Sequence, residues 1–437
     1  MWIARGARPR ARNSCRPFVQ LRGSHASAAP PPWRPSSALD EWVDREARPV
    51  SLRQLTVFGR TLSEARLLSS ANYVRLELPT RIAHRLRNMQ TLPYSALTNQ
   101  HIKHVYEVYY AAFDRLRKVS EIRTLQENDA FCKLVKTSLS EHLSVIYNLA
   151  KAIIEIQDSV PIAVCDQLMT TMLRSRISRN VIAEQHLALT ETFHEPWHFP
   201  NAVKTQHIDP ADDFIGEIFL KCNAAEIINE CAAAARRRFA TYYRPDKSIP
   251  EVKLSGHLET TFPYIPAHLE YIISELLRNS IEAVALEHGS SSQPPPIEVL
   301  ICEAAQHVII RVSDRGGGVP VEALPNLWSF AKCTKPTRRL RNLAQTPEVA
   351  AATHGEAQPH ATSSTRKSGS DLELLSSRSP DAKFGMGLPI SRICAEYWAG
   401  SLEVHSLEGY GTDTFLQVSR LGNKNETLST RAAMDAL

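Results

Sequence analysis

Long apolar runs are absent from this chain of 437 residues. Even the apolar stretch between Leu143 and Ile156 is interrupted by Lys151 and Glu155, whereas a membrane-spanning helix needs about 20 consecutive apolar residues. An integral membrane protein is therefore not expected.

Paired cysteines and the common nucleotide motifs are also absent. The eight cysteines include no C-x-x-C pair, which argues against a zinc site and against a disulfide framework. The chain contains neither a G-x-x-x-x-G-K-[ST] loop nor the H-R-D and D-F-G motifs. These absences exclude the P-loop nucleotide hydrolases and the ordinary protein-kinase fold.

Acidic residues are absent from the first 39 positions, which hold seven arginines among many alanines and serines. This composition is typical of a mitochondrial presequence, whereas a secretory signal needs a continuous apolar stretch. We therefore expect residues 1–39 to be a presequence and linker that direct the protein to the mitochondrial matrix; a disordered basic tail is the alternative. Without these arginines the net charge falls from +5 to about −2, so an electrostatic attraction to nucleic acid is not expected.

The first half of the chain has a helical pattern, because its apolar residues recur every three or four positions. We predict a helical bundle domain over residues 52–242. Its clearest helical patterns cover Leu55–Leu92, Ile102–Val119, Leu143–Ile154 and Asp166–Leu189. A loop is predicted over His194–Pro210, followed by a helix over Phe214–Tyr242.

The second half, residues 250–421, combines short β-rich runs with helices. The predicted strands are Ile297–Ile301, Val308–Val312, Ser401–His405 and Thr414–Ser419, and the predicted helices are Ala267–Glu287 and Leu388–Trp398. This alternation predicts helices on one face of a mixed sheet. A long mobile loop is predicted over residues 335–382 and a short tail over 422–437, so the expected fold class is α+β.

The first chemical motif is E-L-L-R-N-S-I-E-A at residues 275–283. Glu275 and Asn279 are four residues apart on a predicted helix and therefore share a face. The amide oxygen of Asn279 suits Mg²⁺, and the carboxylate of Glu275 can accept a hydroxyl proton. By itself, however, a solvent-facing Glu and Asn pair is the commoner explanation.

Two glycine motifs follow in the sequence. D-R-G-G-G-V-P, residues 314–320, comes after a predicted strand, where the carboxylate of Asp314 can accept a hydrogen bond from the amine of adenine. F-G-M-G-L-P-I, residues 384–390, runs into a predicted helix whose first backbone N–H groups suit phosphates. Taken singly, a glycine-rich turn is the commoner explanation of the first motif, and a hinge with a helix start explains the second equally well.

Together and in this order, the three motifs resemble the Bergerat ATP-binding fold of gyrase, the Hsp90 chaperones, histidine kinases and MutL. This resemblance implies an α/β sandwich that binds ATP and Mg²⁺, with Glu275 as general base and Asn279 as magnesium ligand. It also implies that Asp314 contacts adenine and that Thr412, in the G-Y-G-T segment at 409–412, lies nearby. The remaining nucleotide-binding positions that it implies are Gly316, Gly318, Gly385, Met386, Gly387 and Leu388.

The first half resembles the mitochondrial 2-oxo acid dehydrogenase kinases, and the resemblance covers about residues 52–421. The segments that carry it are Leu78-Pro79-Thr80-Arg81-Ile82-Ala83, Leu92-Pro93, His104-Val105-Tyr106-Glu107, and Ser175-Arg176-Ile177-Ser178 running to Gln185-His186. The family resemblance implies phosphorylation and inactivation of the E1α subunit of a 2-oxo acid dehydrogenase complex at a serine. It also implies a lipoyl-bearing E2 core as a partner and a homodimer joined through the α/β domains.

Several residues depart from the family pattern or allow more than one role. Arg278 stands where the family usually has lysine, and either phosphate binding or orientation of Glu275 is possible for it. Arg176 resembles part of a bundle pocket for small 2-oxo acids, with a structural salt bridge as the alternative. His186 is expected to be a packed bundle residue rather than a phosphoacceptor.

The substrate complex and the wider class have alternatives. The chain has 16 residues after Leu421, which is short for the pyruvate-type kinases and favours the branched-chain type. G-L-P-I-S-R at 387–392 instead resembles the pyruvate type, which we favour. A histidine kinase would need a His-Glu or His-Asp pair on a helix, but Glu141-His142 is reversed and His194-Glu195 falls in a predicted loop. A chaperone-like ATPase would hydrolyse ATP without transfer to protein.

Overall fold

The computed structural model describes residues 37–194, 206–207, 214–242, 248–288, 293–332 and 385–428. The predicted loop over 335–382 lies outside these residues, as does the predicted presequence up to Ser36. The linker predicted to reach residue 39 ends earlier, because helix α1 (Ser37–Val43) begins inside it and buries Leu39. Helix α1 lies against the long helix α3 (Glu64–Gln90).

Helices dominate the N-terminal part. The others up to residue 194 are α2 (Leu52–Gly59), α4 (Tyr94–Leu97), α5 (Gln100–Arg117), α6 (Leu125–Glu141), α7 (Val145–Ile156) and α8 (Ile162–His194). Hydrogen bonds from backbone N–H groups to polar side chains begin several of them, and Ser51 and Thr124 each form a complete capping box. Helix α3 packs against α5 and α8, which confirms the predicted bundle of long helices.

Two predicted helix boundaries in the bundle were wrong. The pattern over Leu55–Leu92 belongs to two helices, since strand β1 (Thr61–Leu62) interrupts it and the Ser63 side chain caps α3. Helix α8 continues beyond the predicted end at Leu189 to His194, so His194 is helical rather than part of a loop.

The helix predicted over Phe214–Tyr242 was also wrong in its first part. Strands β3 (Phe214–Ile215) and β4 (Ile218–Asn223) occupy its beginning, and helix α9 begins only at Ala224 and ends at Tyr242. The rings of Phe214 and Phe219 stack across the strand pair at 4.2 Å. The Asn223 side chain then accepts hydrogen bonds from the first N–H groups of α9, which ends the strand and starts the helix.

A five-stranded mixed sheet forms the C-terminal part, in the order β5-β7-β8-β10-β9. Its strands are β5 (Val252–Gly256), β7 (Ile297–Glu303), β8 (His307–Asp314), β9 (Ser401–Leu407) and β10 (Gly411–Ser419). β5 pairs in parallel with β7 and the other neighbours are antiparallel. β6 (Thr261–Tyr264) pairs instead with β4, and β2 (Gln206–His207) pairs with β1.

Helices cover one face of this mixed sheet. Alternate residues of β7 and β8 are fully buried, and helices α10 (Pro266–Glu287) and α11 (Gly387–Tyr397) pack on the sheet, with α9 against α10. The α+β fold class is therefore confirmed, with four predicted strands present and β5 and β6 additional to them. Among the residues described, no helix has both the length and the apolar character needed to cross a membrane.

Candidate active site

Helix α10 presents Glu275 and Asn279. One face of the helix, with Leu269, Ile272, Leu276 and Ser280, is buried, and Glu275, beside that face, has only 1% of its side chain exposed. Asn279, one turn later, is exposed. The Nη2 atom of Arg278, three residues further along the helix, donates to Oε2 of Glu275. The arginine therefore restricts the orientation of the carboxylate.

The start of helix α11 lies directly on the Glu275 carboxylate. A β-carbon at Gly387 would overlap Oε2 of Glu275 and come within 2.8 Å of its Cδ. Only a glycine lets the α11 backbone approach so closely. The first and third sequence motifs therefore meet at Glu275.

Asp314 ends strand β8 and is held by neighbours on two elements. Its Oδ2 accepts a hydrogen bond from Ser280 Oγ at 2.8 Å, and its Oδ1 accepts one from the Gly316 N–H at 3.0 Å. Burial raises the pKa of this carboxyl, while the bonds from Ser280 and Gly316 act against that rise. Ser280, a residue of the first motif, thus joins that motif to the second.

The glycine turn after Asp314 packs closely on α10 and on the β9–β10 connection. A β-carbon at Gly316 would lie 2.5 Å from Cβ of Ala283, so a larger residue would push the turn off the helix. Gly318 has a φ of +71°, and its Cα approaches the carbonyl of Leu407. These two glycines fix the turn between the helix and the neighbouring hairpin.

Thr412 lies beside Asp314 in the sheet. The two residues face each other in the antiparallel pairing of β10 with β8. The Oγ1 atom of Thr412 is 3.1 Å from Oγ of Ser406, and Ser406 also accepts the N–H of Val319 at 2.7 Å. Ser406 lies outside the three sequence motifs, so its position beside Thr412 was not predicted.

The first turn of α11 has backbone donors with no acceptor among the residues that the structure describes. No side-chain hydrogen bond caps the helix at Met386, which is itself buried. The N–H of Ile390 makes the bond to the Met386 carbonyl, which leaves the N–H groups of Gly387 and Leu388 without acceptors inside the helix. Such a terminus favours anions. Gly385 (φ +63°) precedes it, and no atom of the described residues lies within 4 Å of the position a β-carbon would take there.

The chemistry of these groups fits a nucleotide. A buried carboxylate with Ser280 and Thr412 around it suits an exocyclic amine, and an uncapped helix start suits phosphates. Between them, α10 offers an amide oxygen and a buried carboxylate.

Comparisons with known proteins agree with this geometry in both halves of the chain. The model of the histidine kinase-, DNA gyrase B- and HSP90-like ATPases matches residues 264–421. The model of the mitochondrial branched-chain alpha-ketoacid dehydrogenase kinases matches residues 49–219. The second match distinguishes the kinases from other proteins that share the ATPase fold.

Curated relatives cover most of the chain. Pyruvate dehydrogenase (acetyl-transferring) kinase 2 of Saccharomyces cerevisiae is 29% identical over 88% of this chain and 84% of its own length. The corresponding kinase of Arabidopsis thaliana is 29% identical over 90% and 97%, and isozyme 4 of Homo sapiens is 27% identical over 86% and 82%. All three are named mitochondrial. The chain belongs to the mitochondrial 2-oxo acid dehydrogenase kinases.

The bundle of this kinase contains a buried group of cations apart from the α10–α11 residues. Arg176 and Arg179 of α8 and Arg85 of α3 are all buried, and Arg179 donates to Tyr109 Oη at 2.6 Å. Burial lowers the pKa of Arg176 to about 10, and burial with repulsion from Arg179 does the same for Arg85. The ring of His142 lies 5.0 Å from that of Tyr109, and burial and the charge of Arg179 lower the pKa of His142 well below its usual value.

His186 has the surroundings of a packed residue. It is fully buried, its Nδ1 is 3.1 Å from Ser70 Oγ, and its Nε2 is 3.6 Å from Cys132 Sγ. Burial lowers the pKa of His186 to about 4, so the ring is neutral at physiological pH. The expectation that His186 is a packed bundle residue agrees with this environment.

Proposed function

We propose that this kinase transfers the terminal phosphoryl group of ATP to a serine of the E1α subunit of pyruvate dehydrogenase, and so inactivates that complex. The observation that carries the proposal is the contact between Glu275 and the start of α11, in a chain related to pyruvate dehydrogenase kinases over 86–90% of its length. A branched-chain E1α is the alternative, favoured by the family model for residues 49–219.

Glu275 is the proposed general base. A carboxylate can accept the serine proton as the hydroxyl oxygen attacks phosphorus. Its burial and its bond to Arg278 restrict it to one orientation, which supports an orienting role for Arg278 rather than a direct phosphate contact. Orientation of this kind contributes through positioning.

Asn279 and the first turn of α11 are proposed to hold the charged end of the nucleotide. The Asn279 amide oxygen is a suitable ligand for Mg²⁺. When bound there, the ion would neutralise the negative charge of the phosphates. The N–H groups of Gly387 and Leu388 are proposed to donate to phosphate oxygens, with Gly385 and Met386 shaping the approach. These donors stabilise charge that builds up during transfer.

Asp314 is proposed to accept the amine of adenine, with Thr412 beside it. The support is its position at a strand end, with Ser280 and Gly316 fixing both of its oxygens. Gly316 and Gly318 keep the turn against α10 and the hairpin, where a side chain would collide with backbone atoms.

The family's partners are proposed for this chain as well. A homodimer through the α/β domains is supported by the face of the mixed sheet opposite α10 and α11, where the apolar Leu300, Ile309 and Phe415 remain only half-buried. We further propose a lipoyl-bearing E2 core as a docking partner and the mitochondrial matrix as the compartment.

The buried cations of the bundle are proposed to form the regulatory site for small 2-oxo acids. Burial depresses the pKa of Arg85 and Arg176, which means that their charged forms are less stable inside the bundle than in water. A carboxylate close to them would relieve that cost.

Substrate choice can be tested with purified E1α subunits and radiolabelled ATP. The proposal predicts that acid-stable phosphoserine forms on pyruvate dehydrogenase E1α, and that it forms more slowly on the branched-chain E1α. Faster labelling of the branched-chain E1α would reverse the assignment, and acid-labile phosphate on the kinase itself would support a histidine kinase instead. ATP hydrolysis without transfer to either subunit would indicate a chaperone-like ATPase.

A further inference from the structure

The segment that follows the last strand returns to the helical bundle. Glu426, seven residues after Ser419 ends β10, donates its N–H to the carbonyl of Val50 at 2.7 Å and accepts the Val50 N–H on Oε1 at 3.1 Å. Ser51 and Asn425 form a β-bridge beside this pair. The C-terminal segment is thus tied to the residues that begin α2.

Glu426 is a fully buried carboxylate that pairs with a buried arginine of the bundle. Its side chain is 0% exposed and that of Arg81, on α3, is 3% exposed. Nη2 of Arg81 lies 2.8 Å from Oε1 and Nη1 lies 3.2 Å from Oε2, which is a two-pronged arrangement of high specificity. Burial lowers the pKa of Arg81, but Glu426 together with Tyr397, Tyr73 and Glu77 outweighs that effect, so the pKa is raised overall.

The same carboxylate holds the end of α11. The Oη atom of Tyr397, the last residue of that helix, donates to Oε2 of Glu426. Thr427 caps the helix, because its N–H donates to the Tyr397 carbonyl at 3.0 Å and its Oγ1 donates to the Glu396 carbonyl at 3.1 Å. These carbonyls belong to the set that a helix leaves unsatisfied at its end.

Helix α8 makes two further contacts, one with the C-terminal end of α11 and one with Arg81. Arg174 lies 3.0 Å from the Glu396 carboxylate, and Ser178 accepts hydrogen bonds from Arg81 through its backbone carbonyl, at 3.1 Å, and through its hydroxyl. The C-terminal end of α11 therefore contacts α8 directly and α3 through Glu426. The other end of this eleven-residue helix lies on Glu275.

We propose that Glu426 is a positioning residue for phosphoryl transfer, which clamps the C-terminal end of α11 to the bundle and thereby keeps the first turn of α11 in place over Glu275. The inference rests on the proposed role of that first turn in phosphate binding. An α-helix of this length is stiff, so loss of the clamp at one end allows the whole helix to tilt. Binding a nucleotide would then require the helix to be reordered, which weakens affinity.

The first test compares Glu426→Gln with Glu403→Gln, in which the replaced glutamate is exposed on β9. The dissociation constant of ATP is measured by calorimetry well below the melting temperature of each variant. Loss of the charge-assisted bonds predicts an affinity at least about tenfold weaker for Glu426→Gln and unchanged for Glu403→Gln. An affinity within about twofold of the wild type for folded Glu426→Gln would overturn the proposal.

A second variant and a local readout separate positioning from general stability. Glu426→Gln removes one of the two buried carboxylates paired with Arg81, the other being Glu77, and so destabilises the fold. Tyr397→Phe is the second variant, because it removes only the Tyr397 hydroxyl and leaves both carboxylates in place. Hydrogen exchange of this variant is compared with wild type over residues 385–398 and over α10. The proposal predicts faster exchange confined to residues 385–398, together with weaker ATP binding. Unchanged exchange there, or an equal increase in α10, would contradict it.

These measurements do not depend on the protein substrate. If the wild type binds ATP but labels no E1α, the proposed function fails while the clamp can still be judged from affinity and exchange. If E1α is labelled normally by both Glu426→Gln and Tyr397→Phe, with unchanged Michaelis constants for ATP, the clamp fails while the proposed function stands.

Discussion

Replacing Gly387 by alanine is the most specific perturbation of the proposed active site. The added β-carbon would lie 2.8 Å from Cδ of Glu275 and 3.3 Å from Nη2 of Arg278, whereas non-bonded carbon atoms prefer about 3.5–4.0 Å. The backbone of Gly387 is helical and lacks a positive φ, so alanine itself is tolerated there. The strain therefore falls on the Glu275 carboxylate, which must move by about 1 Å, and displacement of that size costs about a hundredfold in rate.

The assay is single-turnover phosphorylation of E1α at saturating ATP, with ATP affinity measured separately. We expect the rate constant of Gly387→Ala to fall about a hundredfold while ATP affinity changes far less. The double variant Gly387→Ala/Glu275→Gln is the control, because the two effects should not add if both act on the same carboxylate. A rate within about threefold of the wild type, or full additivity in the double variant, would refute the assignment of Glu275.

Three further predictions concern single residues. Glu275→Gln should bind ATP normally and lose nearly all E1α phosphorylation, and undiminished labelling would rule out its role as base. Because burial raises the pKa of Asp314, its carboxylate protonates at a higher pH than that of an ordinary aspartate. Calorimetry at a series of pH values should therefore show that acidification weakens ATP binding more in the wild type than in Asp314→Asn. Parallel pH curves for the two proteins would exclude the adenine contact. Arg176→Gln should remove the thermal stabilisation given by a small 2-oxo acid while leaving ATP affinity intact, and retained stabilisation would show that the ligand binds elsewhere.

The sequence contained enough information for the main elements of the C-terminal part. Residues 297–301 and 308–312 are strongly β-forming, and the glycines at 316 and 387 occur where a strand ends and where a helix begins. These are local signals, each readable from a few neighbouring residues. That is why these elements could be predicted, whereas the contact between Gly387 and Glu275 depends on how α11 packs on α10.

Other features depend on contacts between distant residues. Glu426 and Arg81 are 345 positions apart, and no local pattern marks the glutamate as buried. Ser280 fits the buried face of α10 equally well whether or not it donates a hydrogen bond to Asp314. The strands at 214–223 are short and continue into α9 without a break in apolar content, so tertiary pairing with β6, rather than local propensity, decides their conformation.

The most direct test of the central claim is a crystal structure of the kinase with Mg²⁺ and a non-hydrolysable ATP analogue. We predict adenine at Asp314 beside Thr412, phosphates at the first turn of α11, the metal at Asn279, and the Glu275 carboxylate facing the terminal phosphate. A nucleotide bound away from α10 and α11, or phosphates remote from Glu275, would contradict the account.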